Sequence, residues 1–464
     1  MFPFETKHQD NSTAIITDGG TCLTYGDISN FSGKIHELIP RRCLLFSLCK
    51  NTAGSLLGYV SFLSNSIVPV MLDSNIDAVF LETLINTYRP KYLWLPDKRV
   101  NEFINHQVIF SDHGYSLVKL EEKISFALHP DLAMLLTTSG STGSPKFVRI
   151  SYENIISNTK SIASYLSIHE QDRPIINLPM WYSYGLSVVN THLSKGATLL
   201  LTTKSIVEKD FWEFIRVRNA SSLSGVPYTF EILKKLKFSE MSLPYLKTLT
   251  QAGGKLSEEL HIYFSEYALN FDKRFFIMYG QTEATSRMSY LSPEHALKKP
   301  GSIGLPVPGS EFNIIDDNGN EVDQPDMAGE LVYRGKNVSM GYSSCGDDLL
   351  KGDENNGILF TGDLAKKDED GFYYITGRKN RYIKLFGNRI NLDETENLVS
   401  KIISDCACTG SDDLLSVFIT DETRLTEIKN YISAKTGIHP AAFSVQYRSE
   451  IPKNPTGKIN YPLL

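Results

Sequence analysis

From about residue 24 to residue 278, short apolar runs alternate with segments of helical character, and this constrains the fold more than any other feature. The runs fall at 44–48, 67–72, 92–95, 108–110, 132–136, 175–178, 198–201, 222–224, 248–251 and 275–278. Such alternation predicts α/β layers around a largely parallel sheet, because parallel neighbours need a crossover and a helix supplies it. After about residue 300 the texture changes to short strands broken by glycine and proline, with an Asp317-Asn318-Gly319-Asn320 turn. That pattern predicts a small antiparallel sheet or barrel over about 300–379. The last stretch is more charged, with helices expected near 392–404 and 424–436 around a hairpin at 407–419. A chain of 464 residues exceeds one core. The expected division is a large N-terminal domain, 1–379, and a small mobile α+β lid, 380–464.

Composition narrows the function classes. A formal charge of −6 argues against a nucleic-acid binder, which would carry a basic face. The six cysteines form no CxxC pair, and Cys406 and Cys408 share one face of a predicted strand, as buried packing requires. The ten histidines form no HxxxH or HExxH, so a metal site built wholly from protein ligands is not expected. The start, Met1-Phe2-Pro3-Phe4-Glu5, lacks the basic and apolar regions of a signal peptide. The most apolar segment, 56–72, is broken by Ser61, Ser64, Asn65, Ser66 and Pro69, so it predicts a helix and a strand rather than a membrane span. A cytoplasmic location is expected.

Chemistry concentrates in a few segments. Thr137-Thr138-Ser139-Gly140-Ser141-Thr142-Gly143-Ser144-Pro145-Lys146 follows a predicted strand, and its hydroxyls, backbone N–H groups and one lysine suit a phosphate chain. It is not a Walker loop, because no Ser or Thr follows the lysine. Gln251-Ala252-Gly253-Gly254 ends a strand with small residues, against which a flat ring could lie. Met278-Tyr279-Gly280-Gln281-Thr282-Glu283 offers an aromatic face, a hydroxyl and a carboxylate after another strand. Phe360-Thr361-Gly362-Asp363 puts an aspartate at an expected strand end, apt to accept from two ribose hydroxyls. The stretch 377–390 combines cations with Gly377 and Gly387, and Pro452-Lys453-Asn454-Pro455-Thr456-Gly457-Lys458 sets a lysine in a tail loop. Each segment alone has an ordinary structural reading as a turn, a cap or a solvated basic strand.

In this order and spacing the set resembles the adenylate-forming superfamily of acyl-CoA synthetases, peptide-synthetase adenylation domains and firefly luciferase, from Leu23-Thr24-Tyr25-Gly26-Asp27 to Lys458. The resemblance implies ATP and Mg²⁺, with Thr138, Ser139, Gly140, Ser141, Thr142, Gly143 and Lys146 around the β- and γ-phosphates. It implies adenine between Gly253, Gly254 and Tyr279, with Gly280 and Gln281 beside it. Thr282 would contact the α-phosphate, Glu283 would hold Mg²⁺, and Asp363 and Arg378 would bind ribose. Lys458 would bridge the substrate carboxylate and the α-phosphate. Asn380 matches the hinge, and Gly387 matches a thiol tunnel for the pantetheine of CoA or of a carrier protein.

Three departures stand out. Phe147 follows Lys146 where the family usually has glycine, so the loop is expected to turn differently or to hold the aromatic outside. Asn380 and Arg381 replace residues that are commonly acidic or lysine. Tyr182 stands where many acyl-CoA synthetases have histidine, and no carboxylate awaits an amino group, which disfavours amino-acid activation. Trp181, Tyr182, Ser183, Tyr184 and Val226 are the candidate acyl pocket, and their bulk suits a short or hydroxylated acid. The chain ends six residues after Lys458, so a carrier is expected to be a separate partner. The leading expectation is a stand-alone ligase that activates a small carboxylic acid and passes it to a thiol. Transfer to an amine and a catalytically inert nucleotide-binding homologue are the other two readings.

Overall fold

The computed structural model describes residues 10–120, 125–137, 146–379, 381–385, 388–411, 414–436, 439–454 and 457–464. The α/β alternation is realised in its largest sheet, of eight strands. Its centre is parallel: Tyr92–Pro96, Leu44–Cys49, Val68–Asp73 and Leu132–Thr137 lie side by side in that order. The edges are antiparallel, with Phe147–Ser151 folding back on one side and Tyr115–Lys119 and Gln107–Asp112 on the other. Every residue of Leu44–Cys49 is buried, which explains why the run is apolar at all positions but Ser47 rather than alternating.

A second sheet positions the site. Ser222–Gly225, Thr248–Gln251 and Arg274–Tyr279 run parallel, and Ser289–Leu291 and Leu305–Pro306 continue it antiparallel. Helix Tyr152–Tyr165 starts where Ser151 and Asn154 cap each other's backbone N–H groups. Asn154 also donates to the carbonyls of Lys336 and Val338, which fixes the helix against the following region.

The Gly/Pro-punctuated region is an antiparallel sheet ordered Ser310–Ile315, Gly329–Gly335, Ile358–Lys367 and Tyr373–Arg378. It stays open rather than closing into a barrel. The outer edge is already taken, since Tyr373 exchanges backbone hydrogen bonds with Ile303 and Gly304 at 2.9 and 3.2 Å.

Beyond residue 380 a separate apolar cluster forms from local residues, including Ile383, Leu392, Val399, Leu415, Val417 and Ile428. Cys406 and Cys408 are both buried in it, as their period-2 spacing predicts, and burial pushes both thiols up. The two residues flanking position 380 are tied to opposite sides. Lys379 pairs with Glu330 at 2.6 Å on the open sheet. Arg381 pairs with Asp393 and with Glu396 on helix Leu392–Ser400, and lies 3.9 Å over the ring of Tyr461.

Candidate functional site

Three parallel strands of the second sheet end side by side, so Val226, the Ala252-Gly253-Gly254 turn and the segment 279–283 share one rim. A crevice outside the carboxyl ends of parallel strands is where open α/β sheets bind ligands. Gly253 has φ of 85° and no room for a side chain. A Cβ there would lie 2.5 Å from Tyr182 Oη and 3.1 Å from Val226 Cγ1. Tyr182 therefore reaches the rim, and its phenol is held neutral by burial. Ser183 opens helix Ser183–Leu193, and its hydroxyl lies 3.3 Å from that of Thr282. Trp181 is half-buried against the main core. Tyr184 turns inward, donating to the Thr250 carbonyl at 2.9 Å, with its hydroxyl 2.8 Å from Thr250 Oγ1.

Asp363 is the hub of the site. It does not end a strand but lies inside Ile358–Lys367, which corrects the expectation. Glu330 pairs with Leu364 and Val332 with Phe360, so residues 361–363 bulge opposite Leu331 alone. A bulge re-aims side chains, and here it presents the carboxylate. Tyr279 donates to Oδ2 at 2.5 Å, Gln281 to the same oxygen at 2.9 Å, and Arg378 Nε to Oδ1 at 3.1 Å. Burial first, and then the Asp363 charge, push the Tyr279 phenol well above its ordinary value, so it is a neutral donor. A carboxylate offers about four acceptor positions, and these donors use three.

Beside this hub Tyr342, which the sequence reading missed, joins two expected residues. Its hydroxyl donates to Glu283 Oε1 at 2.8 Å, and the Lys146 ammonium sits 3.5 Å above its ring. Strand pairing explains the meeting, since Tyr342 lies opposite Val148 on the strand that follows Lys146. The Gly341-Tyr342 pair after a strand was the only sequence cue.

Lys458 comes from the tail loop into the field of Glu283, Asp363 and Arg378. Desolvation and the Arg378 charge hold its ammonium below the ordinary lysine value, and the two carboxylates oppose them. The loop rests on the rim: a Cβ at Gly457, where φ is 81°, would lie 3.1 Å from Val226 Cγ2. Lys453 anchors it further, 3.0 Å from Asp405 and 3.9 Å from Glu231.

Among the described residues no group of three or more His, Cys, Asp or Glu side chains could hold a metal. One half-buried carboxylate, Glu283, fits a Mg²⁺ ion held mainly by phosphate oxygens and water. Gly280 backs onto the Ser286 carbonyl, 1.8 Å from where a Cβ would stand. Phe147 is not outside: it is buried at the start of its strand, with its ring 5.0 Å from that of Tyr88. Thr138, Ser139, Gly140, Ser141, Thr142, Gly143, Asn380 and Gly387 lie outside the described residues.

The fold is that of adenylate-forming enzymes. The family model described as AMP-binding enzyme matches residues 48–343, and the chain belongs to that family. The chain is 29% identical over 350 residues to the oxalate–CoA ligase of Arabidopsis thaliana, covering 71% of this chain and 66% of that protein. It is 29% identical over 320 residues to the 2-succinylbenzoate–CoA ligase of Oceanobacillus iheyensis, covering 68% of this chain and 64% of that one. The matched stretches thus span just under two thirds of these relatives' length. The o-succinylbenzoate CoA synthetase of Bacillus subtilis, solved with its acyl-adenylate intermediate, shares the fold with a TM-score of 0.77. Its identity is 22%, with 97% of this chain and 94% of that one covered. No helix among the described residues is long and apolar enough to cross a membrane.

Proposed function

We propose that this chain is an AMP-forming acid–thiol ligase. In the first step a substrate carboxylate oxygen attacks the α-phosphorus of ATP, the bond to pyrophosphate breaks, and an acyl-adenylate forms. In the second a thiolate attacks the acyl carbon and AMP leaves. The observation that carries this reading is Lys458, brought across from the tail to within the field of Glu283, Asp363 and Arg378. Bringing two anions together is mainly an electrostatic problem, and a half-buried ammonium at that point lowers the barrier. The nucleophile is already an anion, so no general base is required.

Gly253, Gly254 and Tyr279 take the adenine in this reading, Asp363 and Arg378 the ribose, and Thr282 the α-phosphate. Lys146, with the 138–143 loop, takes the outer phosphates. Mg²⁺, bound with the triphosphate and held by Glu283, would offset charge on the departing pyrophosphate. The ribose assignment has a consequence: two hydroxyls need two acceptor positions on Asp363, and one remains. One present donor must let go, and Arg378, whose side chain is 58% exposed, is the least costly to release.

The two relatives named as CoA ligases favour CoA over a carrier protein as the thiol. Ties on opposite sides of position 380 support a pivot at Asn380 between domains 1–379 and 380–464, with Gly387 lining the thiol path after rotation. Six free cysteines suit a reducing cytoplasm. The test is ATP–pyrophosphate exchange across a broad panel of carboxylic acids, followed by addition of CoA or a pantetheinylated carrier. Exchange without thiol, and AMP release only with it, is the expected result. No exchange with any acid refutes the reading.

A further inference from the structure

Among the described residues a buried cation, Arg287, stands without a counter-charge. Arg287 is 2% exposed, yet among the described residues no carboxylate lies within ion-pair distance of its guanidinium. Nη1 meets only neutral acceptors, Tyr165 Oη and Met278 Sδ, each at 3.3 Å. Nε is buried without a hydrogen-bond partner. The guanidinium lies 5.0 Å over the ring of Tyr184. Its neighbours do not supply an anion, since burial pushes the phenols of Tyr165 and Tyr184 up and keeps both neutral.

The same chain shows how it buries an arginine that serves the fold. Arg149 is also fully buried, but it donates to the carbonyls of Met340, Tyr342, Lys351 and Gly352 and pairs with Glu354. A buried charge without a partner costs several kcal/mol, so Arg287 has the signature of a group whose partner arrives with a ligand.

Its position identifies that ligand. Met278, which it touches, is next to Tyr279, where the rim begins. Tyr184, which it covers, is next to Ser183, whose hydroxyl meets Thr282. The guanidinium therefore packs against residues whose chain neighbours, Tyr279 and Ser183, belong to the rim. We infer that Arg287 receives a second anionic group on the acid, and that the substrates are short dicarboxylic acids. The inference rests on the ligase reading above. One carboxylate would react near Thr282 and Lys458 while the other pairs with Arg287. Beside the pocket helix lies a void of about 10 Å³ whose lining mixes Ser183, Asn158 and Thr285 with Met134, Ile155 and Leu186.

The experiment measures ATP–pyrophosphate exchange with malonate, succinate and glutarate against propionate, butyrate and valerate, in the full chain and in Arg287→Gln and Arg287→Lys. The expected preference for the diacid in each matched pair is roughly 30-fold or more in kcat/KM. Arg287→Gln should reduce that ratio to near one, and Arg287→Lys should keep part of it. Thermal melting gives the second readout: Arg287→Gln should melt no lower than the parent, because it removes a charge the fold leaves unpaired. A melting point far below the parent, or a diacid preference that Arg287→Gln leaves intact, overturns the inference. Exchange with monoacids alone overturns it while the ligase reading stands. Failure of every acid in the broad panel as well overturns both.

Discussion

Replacing Asp363 with alanine tests the hub directly. The substitution removes a buried carboxylate that accepts from Tyr279, Gln281 and Arg378. Each hydrogen bond to a charged group contributes about 1.5–3 kcal/mol. For stability the full sum does not apply, since the half-exposed Arg378 can turn to water. A loss of about 2–4 kcal/mol is expected, well short of unfolding. For ATP the ledger differs. Two ribose hydroxyls gain two such bonds, and release of one present donor gives one back. The net is about 1.5–3 kcal/mol, or roughly a 10- to 150-fold fall in kcat/KM for ATP. Asp363→Asn, which keeps the shape and one acceptor oxygen, should fall between the two. The assay is pyrophosphate exchange at varied ATP with the best acid, beside urea unfolding of the same preparations. A folded Asp363→Ala with unchanged ATP kinetics would refute the ribose assignment. A loss several orders larger would show that Asp363 acts on the reacting phosphate instead.

Lys458→Ala should lower acyl-adenylate formation at least about 100-fold while sparing thioester formation from supplied acyl-adenylate, and equal loss in both steps would mean the lysine serves the fold. Since burial and Arg378 lower its pKa, the required ammonium is lost as pH rises through a value below 10.5, and Lys458→Arg should move that alkaline limb upward. Asn380→Pro should leave exchange partly intact but suppress thioester formation, because proline fixes φ and blocks rotation, and parallel loss of both with normal circular dichroism would contradict a pivot there. His192 is buried neutral, with its pKa lowered from 6.5 to about 4 by burial. Its contribution is complete above pH 6.5 and is lost as pH falls towards 4, by as much as roughly 3 kcal/mol, so His192→Gln should flatten the acid side of a melting-temperature profile.

The strands were legible because a strand buried on both faces is mostly apolar, and such runs stand out at 44–48, 132–136 and 275–278. Two of the quoted motifs sit where such strands stop, Gly253-Gly254 after Thr248–Gln251 and Tyr279 at the end of Arg274–Tyr279. What escaped the reading depends on partners distant in the chain. Asp363 looks like a strand end until Gly329–Gly335 pairs with its strand and forces the bulge. Phe147 left open whether the loop turns differently or the aromatic stays outside, and only its packing against Tyr88 decides for the core. Tyr342 joins Lys146 only through a strand pairing across nearly 200 residues of chain. Arg287 is one charge among 47 lysines and arginines, and nothing local marks it as buried without a counter-ion.

Val226 carries a consequence for redesign. One methyl faces the Gly253 turn and the other faces Gly457, so under the proposed function a single side chain would be both pocket wall and landing pad for the loop bearing Lys458. Trimming it to widen the range of accepted acids also loosens the seat of the reactive lysine, and enlarging it to narrow that range pushes the loop away. On the proposed function, acid selectivity and turnover would thus be geared together at this position. A library aimed at new substrates should vary 226 jointly with 457, or leave it fixed and work from the Tyr182 side.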